Sequence, residues 1–189
     1  MPGFAPIYPD TRAPVLVGRD DELAAAIRTM RASTTRLLTI TGPAGVGKTR
    51  FGVELARAIV ADYPDGAIVI DLTTITEPDA LDIEIARAVG LRGADGTLDL
   101  DAWMRDHAVL LMLDNAEHVL GIGPRLAQLL SISEGSRAIV TSRHRLHVSI
   151  ETELYLDTLD VTEPLQPGMS RSGSHTSPAA RLFLQVVGA

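Results

Sequence analysis

The sequence predicts an α/β fold, a mostly parallel β-sheet with helices on both faces. Three observations predict it. Short apolar runs (LLTIT at 37–41, AIVIDL at 67–72, VLLML at 109–113, RAIVT at 137–141) lack the in/out alternation of a half-exposed strand. Amphipathic stretches of helical period separate them, and turn chemistry such as Pro64-Asp65-Gly66 punctuates the boundaries. Strands apolar on both faces are those a sheet buries between two helical layers, and βα crossovers supply the layers.

Taken in order, residues 1–14 hold four prolines without periodicity and read as an extended arm. After Gly18 and Arg19, the acidic Asp20, Asp21 and Glu22 precede Leu23, Ile27 and Met30 at i, i+4 and i+7, which predicts an amphipathic helix. The strand at 37–41 leads through a Gly-rich turn into a helix over about 48–61. The strand at 67–72 is followed by a helix that Pro78 opens, that runs to 89, and that Gly90 closes. A shorter helix at 99–106 precedes the strand at 109–113, and 116–132 reads as helical with a break at 121–124. The strand at 137–141 and a candidate fifth at 153–156 complete the sheet. Residues 15–160 therefore form the main domain. A Pro/Gly/Ser-rich loop spans 161–177, and Ser177 and Pro178 start a final helix over 178–189 with Leu182, Phe183 and Val186 on one face.

Composition narrows the chemistry. The 189 residues are 46% apolar and contain no cysteine, which excludes a disulfide framework, a thiolate nucleophile and a cysteine zinc site. No apolar run approaches the length of a bilayer span, and the first residues lack the basic and apolar regions of a signal peptide, so a soluble, cytoplasmic domain is expected. The net charge of −7 argues against broad binding to a nucleic-acid backbone. Sixteen of the seventeen basic residues are arginine, and the only lysine is Lys48. Where a generic cation suffices this chain uses Arg, so position 48 marks a need for a compact ammonium.

Lys48 lies in Gly42-Pro43-Ala44-Gly45-Val46-Gly47-Lys48-Thr49, which matches G-x-x-x-x-G-K-[ST] at every fixed position, between a predicted strand and a predicted helix. Phosphate oxygens are held by several converging backbone N–H groups, and a tight loop at a helix N-terminus supplies them. In that cradle, which extends to Arg50, Lys48 is expected on the β and γ phosphates and the Thr49 hydroxyl on Mg²⁺. A second anchor is Asp114, a carboxylate ending the apolar strand at 109–113, where ligands of open α/β sheets sit; it is expected to hold Mg²⁺ through its water shell. Asn115 cannot act as a base, which leaves Glu117 or His118 to orient water for a slow hydrolysis. A third strand end carries Thr141-Ser142-Arg143, where Arg143 could read a γ-phosphate by bidentate hydrogen bonding. With His144, Arg145 and His147 it could instead form a solvated basic turn, or enter a DNA groove on a helix, although no helix-turn-helix pattern surrounds it.

With these motifs placed, the chain resembles the STAND class of P-loop NTPases, in particular the NB-ARC-like ATPase region of large bacterial transcriptional regulators of the LuxR/AfsR type. The blocks carrying the resemblance are VGRDDEL at 17–23, LLTITGPAGVGKTR at 37–50, VLLMLDNAEHVL at 109–120, AIVTSRHRL at 138–146 and SPAARLFLQ at 177–185. The resemblance implies a P-loop three-layer sandwich with sheet order 5-1-4-3-2 and ATP/ADP and Mg²⁺ as cofactors. It implies that Val17, Gly18 and Arg19 lie against base and sugar, that Arg143 senses the γ-phosphate, and that ADP and ATP set off and on states. It further implies intramolecular helical, winged-helix and output domains as partners, DNA contact only through such an appended domain, and no membrane contact. The helical subdomain that closes over adenine in this class falls beyond Ala189, so weak nucleotide affinity is expected of this chain. Two other readings use the same cradle. A small-molecule kinase needs an Arg-rich lid, for which 92–100 and 161–177 offer only Arg92 and Arg171, and a ring motor needs an arginine finger from a neighbour.

Overall fold

The computed structural model describes residues 16, 18–75, 77–78, 80–91, 99–119 and 121–159. The arm at 1–14, Val17, most of 92–100, the loop at 161–177 and the helix expected at 178–189 lie outside them. Five strands, β1 (Leu37–Thr41), β2 (Ala67–Asp71), β3 (Leu110–Asp114), β4 (Arg137–Thr141) and β5 (Glu151–Tyr155), form one sheet in the order β2-β3-β4-β1-β5. Every neighbouring pair is parallel. This is the order 5-1-4-3-2 that the resemblance implied.

Among the described residues five helices cover the sheet: α1 (Asp20–Arg31), α2 (Lys48–Ile59), α3 (Ala80–Ala88), α4 (Leu100–Asp106) and α5 (Ile122–Ile132). Successive strand residues point to opposite faces, so each apolar run feeds two cores. Leu38, Ile40, Met112 and Ile139 pack with Met30 of α1 and Phe51 and Leu55 of α2. Leu37, Leu111, Leu113 and Val140 pack with Leu81 and Ile85 of α3, Met104 of α4, and Leu126 and Leu129 of α5. Every residue of β1 and β3 is buried, which is why neither run shows a period of two. Each such leucine contributes about 1.5–3 kcal/mol of transfer free energy, enough in aggregate to hold the loops at the strand ends on a rigid platform.

Local chemistry explains the element ends. Gly90 takes φ +69, and the N–H of Leu91 reaches the Ala86 carbonyl at 2.8 Å, which closes α3 as a Schellman motif at the predicted residue. Ala116–His118 forms only a 3-10 turn, and the break falls at Gly121 (φ +82), just before α5 starts. Pro124 sits inside the first turn of α5, where its missing N–H removes no helical hydrogen bond. The fifth strand begins two residues earlier than the predicted 153–156. An edge strand is covered less completely, so Glu151, Glu153 and Tyr155 can alternate with Thr152 and Leu154 and leave no apolar run to read.

One charged cluster joins the three helices on the α3–α5 face. Arg125 of α5 donates to both carboxylate oxygens of Asp82 on α3 (2.9 and 2.6 Å) and to Asp101 on α4 (2.7 Å). Hydrogen bonding to Asp82 holds the guanidinium well above the usual arginine range, so it stays charged at any working pH. Arg125→Ala is expected to lower the midpoint of urea unfolding by the equivalent of about 1–2 kcal/mol, since it removes a bidentate fork that is only partly exposed. Lysine in its place is expected to recover less than half of that, because a single ammonium cannot span both carboxylates in the same geometry. Among the described residues, no helix is long and apolar enough to cross a membrane.

Candidate functional site

In an all-parallel sheet the carboxyl ends of all strands lie on one edge, and the loops that leave them converge there. The loop of residues 42–47, between β1 and α2, is shaped by three glycines with positive φ: Gly42 (+145), Gly45 (+77) and Gly47 (+95). A Cβ at Gly42 would lie 2.3 Å from the carbonyl oxygen of Leu156, so the loop begins packed against the chain leaving β5. Gly45 and Gly47 face open space, which leaves their backbone approachable. Gly47 caps α2 without any side-chain hydrogen bond, and the first turn of α2 holds no acidic residue. By contrast, α1 carries Asp20, Asp21 and Glu22 in its first turn. The positive end of α2 thus keeps its N–H groups and its partial charge available to an external anion.

Lys48 folds back over this loop, its Nζ donating to the carbonyls of Gly42 and Pro43, each at 3.0 Å. These are neutral acceptors, so a polyanion placed over the loop would displace them readily. Thr49 donates its hydroxyl to the Asp114 carboxylate (2.8 Å to Oδ1, 3.0 Å to Oδ2), which joins the start of α2 to the end of β3. The sequence separates these two residues by 65 positions, and β4, lying between β1 and β3, brings them together.

Two further side chains hold Asp114. Thr141, buried at the end of β4, donates its hydroxyl to Asp114 Oδ1 and accepts from the Asn115 N–H at 3.0 Å. The Asn115 amide donates to Asp114 Oδ2 at 3.0 Å and to Asp71 Oδ1 at 3.3 Å. Asn115 adopts φ +62, a left-handed conformation that asparagine tolerates and that turns the chain sharply after β3. The Thr73 backbone N–H holds the Asp71 carboxyl below the usual carboxylate range, with Asn115 and His118 acting in the same direction. Sequence reasoning placed Thr141 at a strand end and Asn115 beside the site without giving either a supporting role, and it missed Asp71. The signal was present: Asp71, Asp114 and Thr141 are the polar last residues of three otherwise largely apolar strands.

A threonine hydroxyl beside a carboxylate offers hard oxygen donors that fit Mg²⁺. Among the described residues, no group of three or more His, Cys, Asp or Glu could hold a metal ion, so such an ion would depend on ligand oxygens and water for the rest of its shell.

Glu117 lies on the 3-10 turn after β3 with only 14% of its side chain exposed, and Arg143 lies after β4 with 57% exposed; Arg143 Nε donates to Glu117 Oε1 at 3.2 Å. Arg19 is buried, pairing with Glu22 at 2.8 Å and donating to the carbonyls of Asp157 (2.6 Å) and Val46 (3.4 Å), so its guanidinium ties the loop to the chain leaving β5. Gly18 precedes it with φ +71. Arg50 points toward Glu54 (3.9 Å), and its buried Nε and Nη2 make no hydrogen bond. Residues 142–150 contain no helix, so the cluster around Arg143 offers none to a DNA groove. Arg145 is instead paired with Glu151 and Glu153, while the N–H groups of Leu146 and His147 donate to Glu151.

A five-stranded parallel sheet in this order, with a glycine loop and lysine after β1 and an aspartate ending β3, is the P-loop NTPase architecture. A model of the AAA domain family matches residues 30–150, more than half of the chain, and the chain belongs to that family of P-loop ATPase domains. It is similar to a protein named as an HTH-type transcriptional regulator of Mycobacterium tuberculosis (33% identical over 140 residues, 71% of this chain and 16% of that protein). It is also similar to the regulatory protein AfsR of Streptomyces griseus (30% identical over 179 residues, 89% of this chain and 16% of that protein). The chain therefore spans 16% of the length of either regulator. Among solved structures, a STAND protein with a tetratricopeptide repeat sensor from Pyrococcus horikoshii shares the fold (TM-score 0.53, 19% identical, 79% of this chain and 24% of that one).

Proposed function

We propose that this chain is the ATP/ADP-binding switch of a larger regulator, with slow ATP hydrolysis as its reset. The observation that carries the reading is the Thr49–Asp114 contact at 2.8 Å beneath an anion-ready helix end whose lysine rests on neutral carbonyls. The backbone of Gly42, Pro43, Ala44, Gly45, Val46, Gly47, Lys48, Thr49 and Arg50 wraps the phosphates. Lys48 leaves its carbonyl partners for the β and γ phosphates. The Thr49 hydroxyl, and the Asp114 carboxylate through a water shell, would hold Mg²⁺, which would neutralise phosphate charge, and Thr141 and Asn115 keep Asp114 oriented. Glu117 or His118 orients the water, and Arg143 reads the γ-phosphate. Gly18 and Arg19 stand at the base and sugar side, where Arg19 also braces the loop through Val46. The relatives' names support a role within a regulator, with any DNA contact made by an appended domain.

Calorimetric titration with ATP and ADP, with Mg²⁺ and with chelator, tests the reading. Thr49→Ala is expected to lose most of the Mg²⁺ enhancement of ATP binding, about tenfold or more, while affinity in chelator stays near that of the parent. A variant that keeps the full Mg²⁺ enhancement would place the metal elsewhere.

A further inference from the structure

Glu117 and Arg143 entered the sequence analysis as independent candidates, one for water and one for the γ-phosphate. The structure joins them in an ion pair (Nε to Oε1, 3.2 Å) across the adjacent parallel strands β3 and β4. The joining is a consequence of local folding. Asn115, held left-handed by its bonds to Thr141, Asp114 and Asp71, turns the chain so that the 3-10 turn Ala116–His118 lies beside the chain leaving β4.

The two ends of the pair are unequal. Glu117 is 14% exposed, and its second oxygen, Oε2, is buried with no hydrogen-bond partner. Arg143 is 57% exposed, and Glu117 is its one ion-pair partner among the described residues. A largely buried, half-satisfied carboxylate holds on to a cation, because losing it leaves a charge in a poorly solvating site. The arginine, mostly in solvent, is the member free to leave.

From this asymmetry we infer that Glu117 is a specificity-determining residue that competes with the γ-phosphate for Arg143 and so sets how well the site distinguishes ATP from ADP. The inference rests on the nucleotide reading above. A γ-phosphate carries more negative charge than a carboxylate and accepts the guanidinium fork bidentately, so ATP takes Arg143 away from Glu117. ADP lacks that group and leaves the pair closed. The ATP affinity of the parent is then reduced by the fraction of molecules in which Arg143 is held, while ADP affinity is untouched. An ion pair whose cation is mostly in solvent corresponds to an approximately three- to sixfold reduction. The competition also sets an order of events. Glu117 becomes available to a water molecule only after Arg143 has turned to the phosphate.

The test is a double-mutant cycle on this chain, read as dissociation constants for Mg²⁺ with a non-hydrolysable ATP analogue and for Mg²⁺ with ADP. Glu117→Gln, nearly isosteric, is expected to tighten the ATP analogue about three- to sixfold and to leave ADP within error. Arg143→Gln is expected to bring the two affinities together, and adding Glu117→Gln to it is expected to give no further gain. Three results would overturn the competition. An unchanged ATP-to-ADP ratio in Glu117→Gln would show that no latch exists. A gain that persists when Arg143 is glutamine would show simple charge repulsion between Glu117 and the phosphate. An Arg143→Gln variant that keeps the parent's ratio would show that Arg143 does not read the γ-phosphate. A parent chain that binds neither nucleotide would instead remove the nucleotide reading itself, and the competition with it.

Discussion

Lys48→Ala is expected to abolish measurable nucleotide binding while leaving the thermal unfolding of the nucleotide-free protein nearly unchanged. In the absence of ligand the lysine makes two hydrogen bonds, both 3.0 Å, to the carbonyls of buried Gly42 and exposed Pro43. Both acceptors are neutral and water can replace the ammonium at Pro43, so only about 1 kcal/mol of folding free energy is lost. Over a bound polyphosphate the same ammonium would make charge-assisted bonds worth about 1.5–3 kcal/mol each, and losing two of them corresponds to a weakening of about 10²–10⁴-fold. Calorimetric titration and a melting scan of the same preparation check both halves. Lys48→Arg is not expected to restore binding, because the guanidinium fork is larger than the ammonium the loop accommodates. A variant that binds Mg-ATP like the parent would show that the loop is not the site.

The second large effect is expected at Gly42, and there stability and binding fall together. An alanine at φ +145 is in a region that residues with a side chain avoid, and its Cβ would stand 2.3 Å from the Leu156 carbonyl oxygen. That carbonyl cannot retreat easily, since the Leu156 N–H is bonded to Thr41 at 2.7 Å and the next residue is held by Arg19. Backbone strain and overlap together predict a loss of about 2–5 kcal/mol for Gly42→Ala, read as a lowered midpoint in denaturant. Nucleotide binding is expected to be lost as well, even under conditions where the variant stays folded, because the overlap can be relieved only by displacing the phosphate loop or the chain leaving β5. Gly45→Ala is the comparison. Its Cβ meets nothing within 4 Å, so the penalty there is only that of φ +77.

These two glycines show where the sequence was legible and where it was not. Both belong to a motif that reads directly, because a phosphate cradle restricts residue identity at fixed spacing within one loop. What held Gly42 in place was not readable. The contact partner, Leu156, lies 114 positions along the chain after an edge strand whose mixed polarity blurred its start. Arg19 illustrates the same limit. The resemblance implied that it lies beside the base and sugar; the structure adds that its guanidinium is bound to its near neighbour Glu22 and to the carbonyls of Val46 and Asp157, the last a partner visible only once β5 lies beside β1. The support of Asp114 was half legible, since a polar residue ending each apolar strand is a pattern in the sequence. Which of those residues touch depends on β4 lying between β1 and β3.

The amino-acid sequence by itself determined the α/β class, four of the five strands nearly to the residue, the helices between the first four strands and the identity of the phosphate loop. These follow from local causes: residue period, cap and turn chemistry, and the spacing a phosphate requires. The sequence placed Asp114 opposite Thr49, and only the tertiary structure decided that the two bond directly, that Thr141 and Asn115 orient Asp114, that Arg19 braces the loop, and that Glu117 holds Arg143. Each of those contacts, apart from the Asn115 side chain on its neighbour, crosses from one strand end to another. Parallel strands that are adjacent in space are far apart in sequence, so side-chain chemistry alone does not reveal which strand ends are neighbours.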